Sequence, residues 1–337
     1  MHAINSTAGT LTQFWLHALS WRRKEAGSEW RGLPEEYKAL FARIVDGDSY
    51  GAKMGQVILT QQIHFVFYLD HKWSKERLGP LFSFDINEDR AMRVWSGFST
   101  QGRLSPPVVE ILRPQFQSLF GKLHKFTDVE RRGLVDRIAA VVHNEGGEWW
   151  KNGLLTQFIE AAGEDDLVEF TATLGRFWES YNDNKRKEAW DGWISAYIAG
   201  RAAGKPKPFS SREIGALASW VFPFAFMADR FITTLTELPV PELRHAYIFH
   251  QLEESSLPSN APEPTTHLIS WLLKGAVPNE FYEGGELIKI VERLIESGIE
   301  KDVLRNSIGA QCVRLELHNV ADFLSLQNRS NDADGIY

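Results

Sequence analysis

Between Val57 and Leu69 nine of thirteen residues are apolar: Val57, Ile58, Leu59, Ile63, Phe65, Val66, Phe67, Tyr68 and Leu69. A helix that is apolar on all sides near its end has no face to offer water, so other elements must enclose it. That requirement already selects a multi-helix core. Leu69-Asp70-His71-Lys72-Trp73 then breaks the run sharply, and three further helical segments carry the pattern to Leu123. Asp70 or Ser74 is the expected cap at this break, because both side chains can accept bonds from free backbone amides. Trp73 and Leu78 are expected to pack, and Pro80 to bend or stop the short helix. Asp70, Trp73, Ser74, Leu78 and Pro80 are therefore read together as a structural joint.

Helical signals continue on both sides of the joint. Phe14, Trp15, Ala18, Leu19 and Arg22 recur at helical spacing, with Arg22, Arg23 and Lys24 at the helix end where cations suit its dipole. Pro34, Glu35 and Glu36 open a helix whose stripe is Tyr37, Leu40, Phe41, Ile44 and Val45. Thr127-Asp128-Val129-Glu130 and Ser210-Ser211-Arg212-Glu213 match the reciprocal capping pattern in which a hydroxyl and a carboxylate satisfy free amides. Asn144-Glu145-Gly146-Gly147 reads as a loop ahead of Trp149-Trp150, Ser255 to Pro264 as a second loop, and Pro223 as a kink or split. Arg201 to Phe209, small, basic and holding two prolines, is the clearest linker.

No convincing alternating strand appears. The reading is all-α: about fifteen helices in an irregular, solenoid-like stack with no significant sheet, since short helical hairpins in series stack rather than close. No clean repeat consensus is present. Residues 1–200 are expected to form an N-terminal array, 201–209 the linker, 210–328 a second array packed on the first, and 329–337 a frayed tail.

Composition narrows function by exclusion. The chain has 337 residues, 43% apolar and 24% charged, so disorder is not expected. Twelve Trp and 21 Phe are read chiefly as core. A net charge of −7 argues against coating nucleic acid. The single cysteine, Cys312, forms no internal disulfide, which fits a reducing cytoplasmic setting. Residues 1–12 lack a signal-peptide core, and no apolar run reaches the ~18 residues of a membrane span.

Reactive chemistry is sparse. No phosphate loop occurs, and Gly146-Gly147 and Gly284-Gly285 read as turns. His245 and His250 stand five apart, off the four-residue spacing of a helical metal pair. His64, in an apolar run, reads as a core residue, and Cys312 as a small buried one. Glu145 and Glu148 beside Trp149 and Trp150 form a possible interaction loop. Arg22-Arg23-Lys24, Lys185-Arg186-Lys187 and Lys205-Pro206-Lys207 are basic clusters too short for a nucleic-acid groove. No catalytic, cofactor or metal residue is assigned.

The order of residues adds a resemblance. The run from Leu69 to Phe82, with Phe14-Trp15-Leu16-His17-Ala18-Leu19, Gly32-Leu33-Pro34-Glu35-Glu36-Tyr37, Gly47-Asp48-Ser49, Trp95-Ser96-Gly97-Phe98 and Leu104-Ser105-Pro106, resembles an uncharacterised helical domain. That domain is found C-terminal to sirtuin-like NAD-degrading domains in bacterial anti-phage proteins. The resemblance implies a sensing, assembly or regulatory module, non-catalytic by itself. A sirtuin-like effector would be its partner, in cis or in trans, and a phage-derived or host protein its trigger. It also implies that the chain is either a piece of a longer protein or a separately encoded partner. The chain has no glycine-rich nucleotide-binding turn after a strand, so none of the family's catalytic residues carries over. A stand-alone enzyme with an unrecognised site, or a nucleic-acid sensor, are the alternative readings.

Overall fold

The computed structural model describes residues 3–243, 247–278 and 284–325. The chain is all-α, and no strand occurs among the described residues. The helices are shorter and more numerous than periodicity alone predicts, because several expected segments split at polar or proline positions.

The chain divides into two compact units between Phe170 and Thr171, inside the helix Glu164–Trp178. The division does not fall at 201–209. That segment lies within the second unit and is tied into it, as described below. The expected frayed tail, 329–337, lies outside the described residues.

In the first unit the helices pack in series. Thr7–Ala26 and Glu35–Asp46 both lie on Tyr50–Gln61, which lies on Glu88–Gln101, then Asp128–Lys151, then Leu154–Ala161. Close approach is bought by small residues: a Cβ added at Gly97 would collide with Val57, and Gln61 Nε2 donates to the Gly97 carbonyl at 2.9 Å. Buried Gln56 reaches out of its own helix and donates to the carbonyls of Ile44, Val45 and Gly47, at 3.1, 3.1 and 2.8 Å. It thereby satisfies carbonyls that the end of helix Glu35–Asp46 leaves open. Fully buried rings link successive helices: Phe82–Trp95 at 4.8 Å and Phe116–Trp149 at 5.5 Å edge to face, and Trp95–Phe116 at 5.5 Å tilted. The Thr127 capping box forms completely, with Glu130 Oε2 accepting from the Thr127 amide at 3.1 Å.

In the second unit, Ala228–Thr236 packs on Pro262–Gly275, which packs on Lys301–Arg314, which packs on His318–Ser325. Pro223 splits its segment into helix Ser211–Ala218, two single 3-10 turns and helix Ala228–Thr236. Ser255 to Pro264 is not a plain loop: Leu257–Asn260 is a short helix, and Pro262 opens the next in its first turn, where a missing amide costs nothing. Arg314 donates to the carbonyls of Leu273 and Ala276, at 2.5 and 3.1 Å, and so closes the end of Pro262–Gly275.

The second capping pattern is only half made. Ser210 Oγ accepts from the Glu213 amide at 3.2 Å, but the Glu213 carboxylate turns away to Arg201. Arg201 is fully buried, and its guanidinium spends all five donors. Nη1 meets Glu213 Oε1 at 2.9 Å and Tyr197 Oη at 3.2 Å, Nη2 meets Glu213 Oε2 at 2.6 Å and the Pro208 carbonyl at 3.2 Å, and Nε meets the Lys207 carbonyl at 2.7 Å. The prospective linker is therefore held by its own first residue. Burial pushes the Glu213 carboxyl up, against the opposing pull of Arg201 and Thr171.

Candidate functional site

The joint at Asp70 is built from contacts between distant positions. Asp70 Oδ1 accepts from the Trp73 amide at 3.0 Å, which caps the turn His71–Trp73, and Oδ2 accepts from the Leu33 amide at 3.3 Å. Lys38 Nζ lies 3.8 Å from the same oxygen, and Trp30 Nε1 donates to the Leu69 carbonyl at 2.9 Å. Gly32 holds φ +112 beside Asp70, a conformation that glycine adopts without strain. Of the two possible caps, Asp70 is the one used. Ser74 sits inside the π-turn Ser74–Leu78, and its buried hydroxyl has no hydrogen-bond partner among the described residues. Trp73 packs on Phe41 with ring centroids 6.0 Å apart, Leu78 is fully buried, and Pro80 occupies the first turn of Gly79–Phe82, after which the helical course stops.

Glu145 and Glu148 do not lie on a loop. Helix Asp128–Lys151 runs through Gly146-Gly147 with a kink at Glu145 (φ −125, ψ 16). Each carboxylate has its own cation: Glu145 pairs with Arg113 at 2.9 Å, and Glu148 with Lys151 at 3.4 Å. Trp149 is fully buried against Phe116 and Phe120, while Trp150 is half-buried. The four residues are thus distributed between core and surface rather than gathered into an acid pair.

Other candidates are also accounted for. Cys312 is buried, and burial pushes its thiol up to about 11, away from nucleophilic use at neutral pH. His245 lies outside the described residues. Among the described residues no group of three His, Cys, Asp or Glu is placed to hold a metal, and no helix is long and apolar enough to cross a membrane.

Two features were not singled out by sequence reasoning. The first is a groove in the first unit, at the point where the long apolar run breaks. Gln62 takes φ −99, ψ 19 between helices Tyr50–Gln61 and Ile63–Leu69, and its carbonyl restarts the second helix by accepting from the Val66 amide at 3.0 Å. Gln62 and His64 line two adjoining hollows of about 360 and 460 Å³. The smaller one adds Leu16, His17 and Phe65, and the larger one Thr100, Arg103 and Arg137. His64 Nδ1 is buried with no hydrogen-bond partner among the described residues, and burial first, then Arg103, lowers the pKa of its imidazole. A third hollow of about 440 Å³ shares Thr100 and Gln101 and reaches Glu130, which accepts a short bond from Ser96. The available signal was the polar pair Gln61-Gln62 interrupting an apolar run.

The second feature is on helix Thr7–Ala26. Its buried face is Gly9, Thr12, Leu16 and Leu19. Leu11, Phe14 and Trp21 lie on the opposite face and are 52, 59 and 76% exposed. Phe14 is among the packed positions expected on this helix, but of the adjacent pair it is Trp15 that faces inward, toward Tyr37 at 5.9 Å.

Compared with known proteins, residues 138–308, about half of the chain, match a family model described as a domain of unknown function (DUF4020). The match includes Trp149, Arg201 and Glu213 and leaves the Asp70 joint and the Gln62 groove outside it. No curated protein and no solved structure matches the chain.

Proposed function

From the premise that this chain belongs to the DUF4020 family, we propose that it is a non-catalytic helical module that recognises a protein partner in the cytoplasm. The observation that carries this reading is the stripe of Leu11, Phe14 and Trp21 on the outer face of the first helix. Large apolar side chains aligned on one exposed helix face are the ordinary chemistry of a protein interface, and Trp is enriched among residues that dominate binding energy. The residue-order resemblance is the support for proposing a sirtuin-like NAD-consuming effector as the partner, with a phage-derived or host protein as the trigger that shifts the effector's state.

The test is reconstitution of the purified chain with a sirtuin-like effector encoded beside it or joined to it. A stable complex is expected, and replacing Phe14 and Trp21 together with Ser should dissociate it while leaving thermal unfolding of the chain unchanged. NAD turnover by the chain alone would sink the reading, as would a complex indifferent to both substitutions.

A further inference from the structure

The two hollows that meet at Gln62 and His64 differ in chemistry. One is lined by Leu16, His17 and Phe65 together with the polar Gln13 and Ser20. The other presents the cationic side chains Arg103 and Arg137 beside the Thr100 hydroxyl. No carboxylate lines either of them. Asp136 acts electrostatically on Arg137 but does not line the hollow.

Both arginines have donors to spare. Arg103 makes no hydrogen bond or ion pair with any described residue. Among the described residues Arg137 uses only Nε, on the Gly102 carbonyl at 2.8 Å, and that bond fixes its guanidinium against the backbone while both terminal nitrogens meet no described partner. A guanidinium anchored at Nε presents its remaining face as a fork, the geometry that meets phosphate oxygens in pairs. Beside it, the buried His64 Nδ1 also has no hydrogen-bond partner among the described residues. Two cations and an unpaired polar atom converging on one hollow are a receptor for negative charge, and each hollow has a volume in the range of small-molecule sites.

We infer that this groove binds a nucleoside phosphate, with the phosphate held by Arg103 and Arg137 and the planar base against Phe65 and His17. The amide of Gln62, on the wall common to both hollows, faces the sugar between them. A base has a flat apolar face suited to the aromatic side, and its phosphate supplies the charge that the other side lacks. The groove shares helix Thr7–Ala26 with the Leu11–Phe14–Trp21 stripe but no residue of it, and Arg103 and Arg137 lie elsewhere in the chain, so a substitution at Arg103 tests the groove without touching the stripe.

The experiment is isothermal titration of the full chain with AMP, adenosine and inorganic phosphate, followed by the Arg103→Gln variant. Saturable AMP binding is expected, with adenosine and inorganic phosphate each at least about tenfold weaker, since each lacks one half of the contacts. Because Arg103 is exposed and makes no hydrogen bond or ion pair with a described residue, Arg103→Gln should weaken AMP by about tenfold or more without changing the melting temperature. His17→Ala should weaken AMP and leave inorganic phosphate unaffected. No saturable binding of AMP, GMP, CMP or UMP would overturn the assignment, as would equal affinity for AMP and inorganic phosphate, or an Arg103→Gln variant that binds AMP as the parent does.

Discussion

Arg201 and Glu213 meet fork to fork, at 2.6 and 2.9 Å, with 0 and 1% of their side chains exposed. The pair lies twelve residues apart in sequence and encloses the one segment whose composition most suggests a free linker. Two charges removed from water gain little over an apolar pair of equal volume, yet either one alone would be costly. Arg201→Ala should therefore destabilise the protein by about 3–5 kcal/mol, and Glu213→Ala by a similar amount. The double change Arg201→Met with Glu213→Leu should recover most of that loss. Urea denaturation of the four proteins checks this, and additive losses in the double variant would contradict the coupling.

Trp73 is the packing member of the Asp70 joint, 9% exposed and set against Phe41. Trp73→Ala should cost about 3–5 kcal/mol, because the space left between helices closes only in part. Asp70→Ala removes the accepting bonds to the Trp73 and Leu33 amides and should cost about 1–2 kcal/mol. Thermal melts read both effects. Unchanged melting of the Trp73 variant would return this turn to the list of exposed, functional surfaces.

His64 supplies a pH dependence with a definite sign. Burial, assisted by Arg103, lowers its pKa from the ordinary 6.5 in the folded chain. The unfolded chain then binds the proton more readily, so stability is full above pH 6.5 and falls as the pH drops from there toward the depressed folded value. Chemical denaturation across this window should show the loss, and His64→Gln should flatten it. A parent curve already flat below pH 6.5 would refute the partial burial of His64 as the cause.

What was legible in the sequence was local. The Thr127–Glu130 box closes within four residues, and its two bonds form as the pattern implies. The all-α class follows equally from periods of three and four. What depended on distant partners was not legible. Glu145 was read as a loop because two glycines follow it, but Arg113 and the ring of Phe116 hold the helix together across that point. Periodicity placed Phe14 on an apolar helix without saying which face its neighbours would cover. Glu213 fits a cap by spacing, yet a buried guanidinium competes for the carboxylate and wins. The groove at Gln62 joins residues from positions 13 to 137, a span no short motif covers.

The hold of Arg201 on residues 207 and 208 has a practical consequence for anyone dividing this chain. A cut at the proline-containing segment, where composition invites it, would leave a guanidinium on one fragment and a carboxylate on the other, each stripped of its counter-charge. Both pieces would then carry a defect created by the choice of boundary, and their insolubility would be mistaken for a property of the domains. Fragments that keep residues 171–213 together avoid that artefact, because they retain Thr171, Tyr197, Arg201 and Glu213 as one set.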